Sequence, residues 1–158
     1  MVEAENPNSN QRAQAIKPDN NNIEEMNKKS EWLELENTHF ITPSGLDDPE
    51  HYSTPHDLGI IMRYAFTEHP EILTYMGKKG EHSVFPTENN ESHWWSQISS
   101  MLSTYPGMDG VKTGYTWEAG NTFLGTAIRD GKRIGVVVFN TQDAPTDLKT
   151  LFDYGFRE

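Results

Sequence analysis

A chain of 158 residues is long enough for one domain with a sizeable core. Its net charge of -11 and pI of about 4.9 argue against nucleic acid and anionic membrane surfaces as partners, because both are bound through Lys and Arg. The absence of cysteine excludes disulfides, thiolate ligands and a Cys nucleophile, and no apolar run approaches the ~20 residues that span a bilayer.

The amino terminus, M-V-E-A-E-N-P-N, lacks the basic and apolar regions of a secretory signal, so the chain as written reads as neither exported nor anchored, and cytoplasmic by default. Met1–Asn22 is polar and rich in Asn, with Pro7 and Pro18. It reads as a flexible tail whose apolar surface cannot offset the entropy of ordering it. Residues 23–158 read as the domain. A helix is expected from about Ile23, with Asn22 as cap and Glu25 at the third helical position, ending near Leu35 to Asn37. Thr38–Thr54 reads as loop, broken by Pro43, Gly45 and Pro49. His39, Asp47, Asp48 and His51 invite a metal reading, but paired Asp side chains in such a loop fold back on their own backbone, and no metal or cofactor is expected.

The clearest helix follows. Thr54 is its N-cap, Pro55 its first residue, and Asp57 completes the box. Leu58, Ile61, Met62, Ala65 and Phe66 fall on one face, and His69-Pro70 closes the run. A short helix is expected over Glu71–Met76, stopped by Gly77. Gly77–Pro86 is polar and reads as mobile. In Asn89–Leu102 the Trp94-Trp95 pair reads as packing rather than as a sugar-stacking platform. Asn121–Ile128 and Arg133–Phe139 are apolar, β-branched runs joined by Arg129-Asp130-Gly131-Lys132, whose Asp-Gly pair signals a hairpin. Gly135–Phe139 reads as a strand buried on both faces. Asp147–Tyr154 then gives a helix with Leu148, Leu151, Phe152 and Phe156 on its apolar side, laid across the sheet.

Between these elements lies M-D-G-V-K-T-G-Y-T-W-E-A-G-N-T-F-L-G-T, residues 108–126. Val111, Thr113, Tyr115 and Thr116 favour an extended backbone. Alternation puts Lys112 and Gly114 on one face of such a strand and Thr113 and Tyr115 on the other. Gly114 leaves a bare patch where a ligand's backbone can approach, and an ammonium beside that patch suits an extended anionic ligand such as a peptide's terminal carboxylate.

The run Asp109–Thr116 resembles the third signature, K-T-G, of the serine D-alanyl-D-alanine carboxypeptidases, the low-molecular-mass penicillin-binding proteins. A second stretch agrees: Thr38-His39-Phe40, Pro43-Ser44-Gly45-Leu46-Asp47-Asp48-Pro49, His51-Tyr52-Ser53-Thr54 and Asp57-Leu58. The resemblance covers about Met26 to Phe156. It implies an α+β chain with part of the penicillin-binding-protein and β-lactamase fold: a three-stranded antiparallel sheet with helices, without the front strands and the nucleophile helix. It implies that Lys112 sets the field for a substrate carboxylate and supports proton transfer. Thr113 or Thr116 would hydrogen-bond that carboxylate, Gly114 would let the substrate lie close, and the N–H of Tyr115 would give half of an oxyanion hole. The partners it implies are a peptidoglycan stem peptide or a β-lactam, and it places the family outside the cytoplasmic membrane. This chain departs from the pattern. None of its ten serines has a lysine three residues on or an asparagine two residues on, so Ser-x-x-Lys and Ser-x-Asn are both absent. Asp143-Ala144-Pro145 stands where many members carry an arginine. A carboxypeptidase-like fragment is therefore expected, one that self-associates or needs a complementing N-terminal chain, with an open edge on the Arg133–Phe139 strand.

Overall fold

The computed structural model describes residues 20–84, 93–96 and 99–158. The polar stretch 1–19 lies outside them. By contacts the chain divides into two units, Met1–Asp57 and Leu58–Glu158.

In the first unit, α1 spans Asn20–Trp32, starting ahead of Ile23 and ending earlier than its sequence suggests. The reason is a C-terminal cap. Glu34 takes a left-handed conformation (φ 58°), its N–H donates to the Glu31 carbonyl at 3.0 Å, and the Leu35 N–H donates to the Ser30 carbonyl at 3.0 Å. That pair of bonds is a Schellman cap. It turns Leu35 inward, where it is buried, rather than letting it continue the helix.

The following loop is pinned by side chains that satisfy its backbone. Asn27 brackets Phe40, donating to its carbonyl and accepting from its N–H, both at 2.8 Å. His39 and Tyr52 pair backbone to backbone. Asp48 accepts from the N–H of Glu50, two residues on, at 2.8 Å, the turn role expected of it. His51 Nδ1 accepts from the N–H groups of Ile41 (3.0 Å) and Thr42 (3.3 Å).

Two acceptor contacts on Nδ1 require that nitrogen to be unprotonated. Burial also pushes the His51 pKa below its ordinary value of 6.5; Asp48 opposes the shift and His39 adds to it. A lowered folded-state pKa means that the unfolded chain binds the extra proton first. The stabilisation is therefore complete above pH 6.5 and is lost as pH falls through the folded value. In an NMR titration the His51 ring should show a midpoint below 6.5, with the Ile41 and Thr42 amide signals moving at the same midpoint. A midpoint at or above 6.5 would remove this account of the loop.

Thr54 caps α2 (Pro55–Glu68) as expected, accepting from the N–H of Asp57 at 3.1 Å. The Asp57 carboxylate has a different role from the one its place in the capping box suggests. It is almost fully buried and reaches back to the Asn37 N–H (2.9 Å) and the Thr38 hydroxyl (2.8 Å). Burial alone would raise its pKa, but hydrogen bonds from Thr38, Asn37, His56 and Thr54 outweigh that and hold it low.

In the second unit α2 continues to Glu68, and α3 (Ile72–Met76) ends at Gly77 as expected. The stretch read as mobile contains β1 (Glu81–Val84), paired antiparallel with β2 (His93–Ser96). The side chains of Trp94 and Trp95 lie outside the description. After α4 (Met101–Thr104) comes the main sheet: β3 (Met108–Thr116), β4 (Gly120–Arg129) and β5 (Lys132–Val138), antiparallel in that order. The β4–β5 turn has positive φ at both central residues, Asp130 (50°) and Gly131 (79°). This is the backbone a two-residue hairpin turn needs, and Asp-Gly supplies it.

Helix α5 (Ala144–Arg157) closes the unit. Asp143 caps it, accepting from the Thr146 N–H, with Pro145 in the first turn. The core lies between this helix and one face of the sheet: Leu102, Tyr105, Met108, Val111, Phe123, Ala127, Val136, Leu148 and Phe152. Leu151, expected on the apolar side, is exposed instead. Tyr105 stacks on Phe152 with ring centroids 5.0 Å apart and donates to Asp153 at 2.8 Å. Burial and the Asp153 bond push the Tyr105 pKa up to about 12, with Arg129 opposing, so the phenol stays a donor.

The expectation that β5 is buried on both faces does not hold. Val136 is buried, while Val137 and Val138 are half-buried and Gly135 is exposed. β5 is the last strand, and among the described residues no strand pairs with its outer edge. On the face away from α5 the approach to Gly135 comes from Met62 of α2; a Cβ added at Gly135 would lie 2.2 Å from Met62 Cε. Met62 is buried, but Leu58, Ile61, Ala65 and Phe66 on the same helix are only half-buried.

Candidate functional site

The candidate site is the outer edge of β3, and the fold opens that edge at one place. At its start β3 is covered. Gly77 sits so close that an added Cβ would meet the Asp109 carbonyl oxygen at 2.5 Å, and Gly110 is hemmed in by Leu73 and Thr126. Met108, Gly110 and Val111 are buried, whereas Lys112, Gly114 and Tyr115 are exposed, so cover ends at Lys112.

Register settles which side chains share a face. Lys112 stands opposite Leu124 and Val137, and Gly114 opposite Thr122. These lie on the sheet face away from α5. Thr113 stands opposite Phe123 and Val138, and Tyr115 opposite Asn121, on the α5 face. The alternation expected from the sequence is therefore present, and all five predicted residues fall on one continuous open edge.

Each has a definite local environment. Lys112 Nζ contacts the Thr113 carbonyl, and among the described residues no carboxylate pairs with it. Its charge is therefore not neutralised within the described fold. Thr122 donates to the Gly114 carbonyl at 3.1 Å, and a Cβ at Gly114 would lie 2.7 Å from the Thr122 hydroxyl oxygen. Gly114 is thus fixed from behind by β4 and bare in front. The Thr116 hydroxyl accepts from the Ala119 N–H at 3.0 Å, which shapes the following turn and leaves its proton to donate elsewhere. Tyr115 and Trp117, both exposed, meet edge to face with ring centroids 6.3 Å apart.

Below the site, a brace crosses the sheet. A bulge between Met108 and Gly110 displaces Asp109, which pairs with Arg133 of β5 at 2.8 Å; Arg133 also donates to the buried Thr126 of β4 at 3.0 Å. Three strands are thereby fixed on the face that carries Lys112. Thr122 and this brace were missed in the sequence, because the only signal for them is strand register. An open cavity of about 810 Å³ on the other face, lined by Tyr105, Arg129, Lys149 and Asp153, is a poorer candidate. Its charges engage one another, with Lys149 2.5 Å from Asp153 and the Arg129 guanidinium held between the Tyr105 and Phe156 rings.

Three antiparallel strands, the edge one carrying K-T-G, and a closing helix make up part of the fold of penicillin-binding proteins. The chain belongs to the D-alanyl-D-alanine carboxypeptidase family, peptidase S11, whose model matches residues 2–143. It is 37% identical over 142 residues to the D-alanyl-D-alanine carboxypeptidase DacB2 of Mycobacterium tuberculosis, covering 85% of this chain and 47% of that protein. It is 31% identical over 143 residues to DacF of Bacillus subtilis, covering 86% and 35%. Among solved structures, the Streptomyces K15 DD-transpeptidase superposes with a TM-score of 0.78 at 30% identity, covering 86% of this chain and 54% of that one. Penicillin-binding protein D2 from Listeria monocytogenes, solved in cefotaxime-bound and ampicillin-bound forms, gives 0.72 at 33% identity, covering 85% of this chain and 54–55% of those. The chain thus spans about half the length of these structures, and about half or less of the curated relatives.

Proposed function

We propose that this chain is the substrate-docking part of a D-alanyl-D-alanine carboxypeptidase-type site in peptidoglycan metabolism. It holds the carboxylate end of a stem peptide, or a β-lactam, along β3 and does not cut by itself. The observation that carries this reading is the open edge beginning at Lys112, an ammonium with no carboxylate partner among the described residues beside a bare glycine. A peptide adding to that edge gains main-chain hydrogen bonds from the strand and a charge-assisted contact from Lys112. Thr113 and Thr116 supply hydroxyls for the carboxylate. The Tyr115 N–H gives one oxyanion donor, a role that needs only backbone. Hydrolysis through an acyl-enzyme also needs an activated serine, and no serine in these 158 residues is followed by the family's lysine.

Two measurements test the reading together. Incubation with a fluorescent penicillin should leave the purified chain unlabelled, since a stable label requires an acylated serine. Titration with an N-acetylated peptide ending in D-Ala-D-Ala should show saturable binding. A labelled serine would overturn the inactive reading, and absence of binding would overturn the docking reading.

A second reading is half of a split serine hydrolase, with another chain supplying Ser-x-x-Lys and Ser-x-Asn. Two observations favour it: the half-buried apolar face of α2, and the β5 edge without a strand partner among the described residues. Labelling by penicillin only after mixing with such a chain is its signature.

A further inference from the structure

The loop from Thr38 to Thr54 is closed at its base and tied once above it. At the base His39 and Tyr52 exchange backbone hydrogen bonds of 2.9 and 3.1 Å, and the Thr38 and Ser53 hydroxyls meet at 2.9 Å. Above Phe40, the hydrogen bonds that cross from one limb to the other among the described residues are the two that the Ile41 and Thr42 N–H groups donate to His51 Nδ1. A single ring nitrogen therefore holds the first limb, and residues 43–47 beyond it are exposed.

The two histidines of this loop have opposite polarity. His39 Nδ1 faces the Glu50 carbonyl at 2.7 Å, so it carries a proton and donates. Charging that ring leaves the bond in place, because both nitrogens of an imidazolium are donors. His51 Nδ1 faces two N–H groups and accepts from both, so charging turns the acceptor into a third donor. Ile41 and Thr42, both half-buried, would then keep N–H groups without an acceptor, a state that opening to water relieves.

The surroundings of the ring fix which parts respond. The Phe40 ring packs against it nearly edge-on, with centroids 5.7 Å apart. Burial disfavours its charged form, Asp48 favours that form and His39 disfavours it. The second limb has ties that do not depend on the ring's charge. Asp48 accepts from the Glu50 N–H through its carboxylate at 2.8 Å and from the His51 N–H through its carbonyl at 2.9 Å. We propose that His51 is an acid-released latch: its bare Nδ1 holds Ile41 and Thr42 at neutral pH, and its protonation frees residues 41–46 by local opening while the His39–Tyr52 bridge stays formed.

Amide hydrogen exchange on the whole chain, followed by NMR at pH 7.5 and pH 5.0 and corrected for intrinsic exchange, tests this. The reference amides are Asn37, held by the Asp57 carboxylate, and Phe40, held by the Asn27 side chain. Asp57 has its pKa held low and Asn27 does not titrate, so neither tie changes over this range. Relative to these two, protection of Ile41 and Thr42 should fall roughly 10-fold on acidification. About 30-fold is the ceiling, set by an open-state histidine with the ordinary value of 6.5. In His51→Asn the amide oxygen accepts near the place of Nδ1 and does not titrate, so the ratio should stay flat. A ratio that stays flat in the unaltered chain overturns the latch. So does an equal loss at Phe40 and Ile41, which would mean that the whole unit opens, and so does an acid response that survives in folded His51→Asn. Should that variant fail to fold, the ratio of Ile41 to Asn37 and Phe40 in the unaltered chain decides by itself.

Discussion

Replacing Lys112 with alanine should weaken binding of a D-Ala-D-Ala-terminated peptide roughly 10- to 100-fold, the range expected when a hydrogen bond to a charged group is lost. The size of the effect follows from the site. Lys112 is exposed, lacks a carboxylate partner among the described residues, and stands where the cover over β3 ends. Among the described residues no ion pair competes there for its charge. The same substitution should move thermal stability very little, because exposed side chains away from special features contribute within about 0.5 kcal/mol. A peptide capped as its C-terminal amide should bind the unaltered chain about as poorly as the acid binds Lys112→Ala. Raising the salt concentration should narrow the difference between acid and amide. Calorimetric titration and a melting curve on both proteins give all of this. Equal affinity for acid and amide would show that the ammonium is not reading a carboxylate.

The largest effect on stability is expected at Phe152. Its side chain is fully buried, stacks on Tyr105, and lies with Leu148 in the layer between α5 and the sheet. Phe152→Ala removes buried ring surface and leaves a cavity that the surrounding strands cannot fully close, a cost of about 3–5 kcal/mol. Domains of this size are stable by only about 5–15 kcal/mol, so the variant should unfold at a much lower urea concentration. Leu151→Ala, one residue earlier on the same helix but exposed, is the natural comparison and should shift the midpoint little. Similar losses at the two positions would mean that α5 does not dock in the orientation described.

The contrast between those two residues shows where sequence reasoning reached its limit. Leu148, Leu151, Phe152 and Phe156 all fit a helical stripe, but the stripe is wider than the surface the sheet presents, and Leu151 falls outside it. Asp57 shows the same limit. Its position three residues after Thr54 marks it as a capping residue, yet its carboxylate bonds Asn37 and Thr38, some twenty residues back. The early end of α1 depends on Glu34 taking a conformation that glycine usually takes, which helix propensity does not reveal. β1 and β2 were missed because neither run has the β-branched alternation that marks a strand.

The residues themselves determined the features that depend on neighbours a few positions apart: the Asp130-Gly131 turn, the Thr54 cap, the alternation of Lys112 and Thr113, and the two signatures that place the chain in its family. Tertiary structure alone decided which edge of the sheet is open, that cover over β3 stops at Lys112, that Thr122 backs Gly114, and that Asp109 and Arg133 brace three strands from positions 24 residues apart. Turns and caps follow from backbone geometry over three or four residues. Edges, faces and braces follow from register and packing, which exist only once distant segments have met.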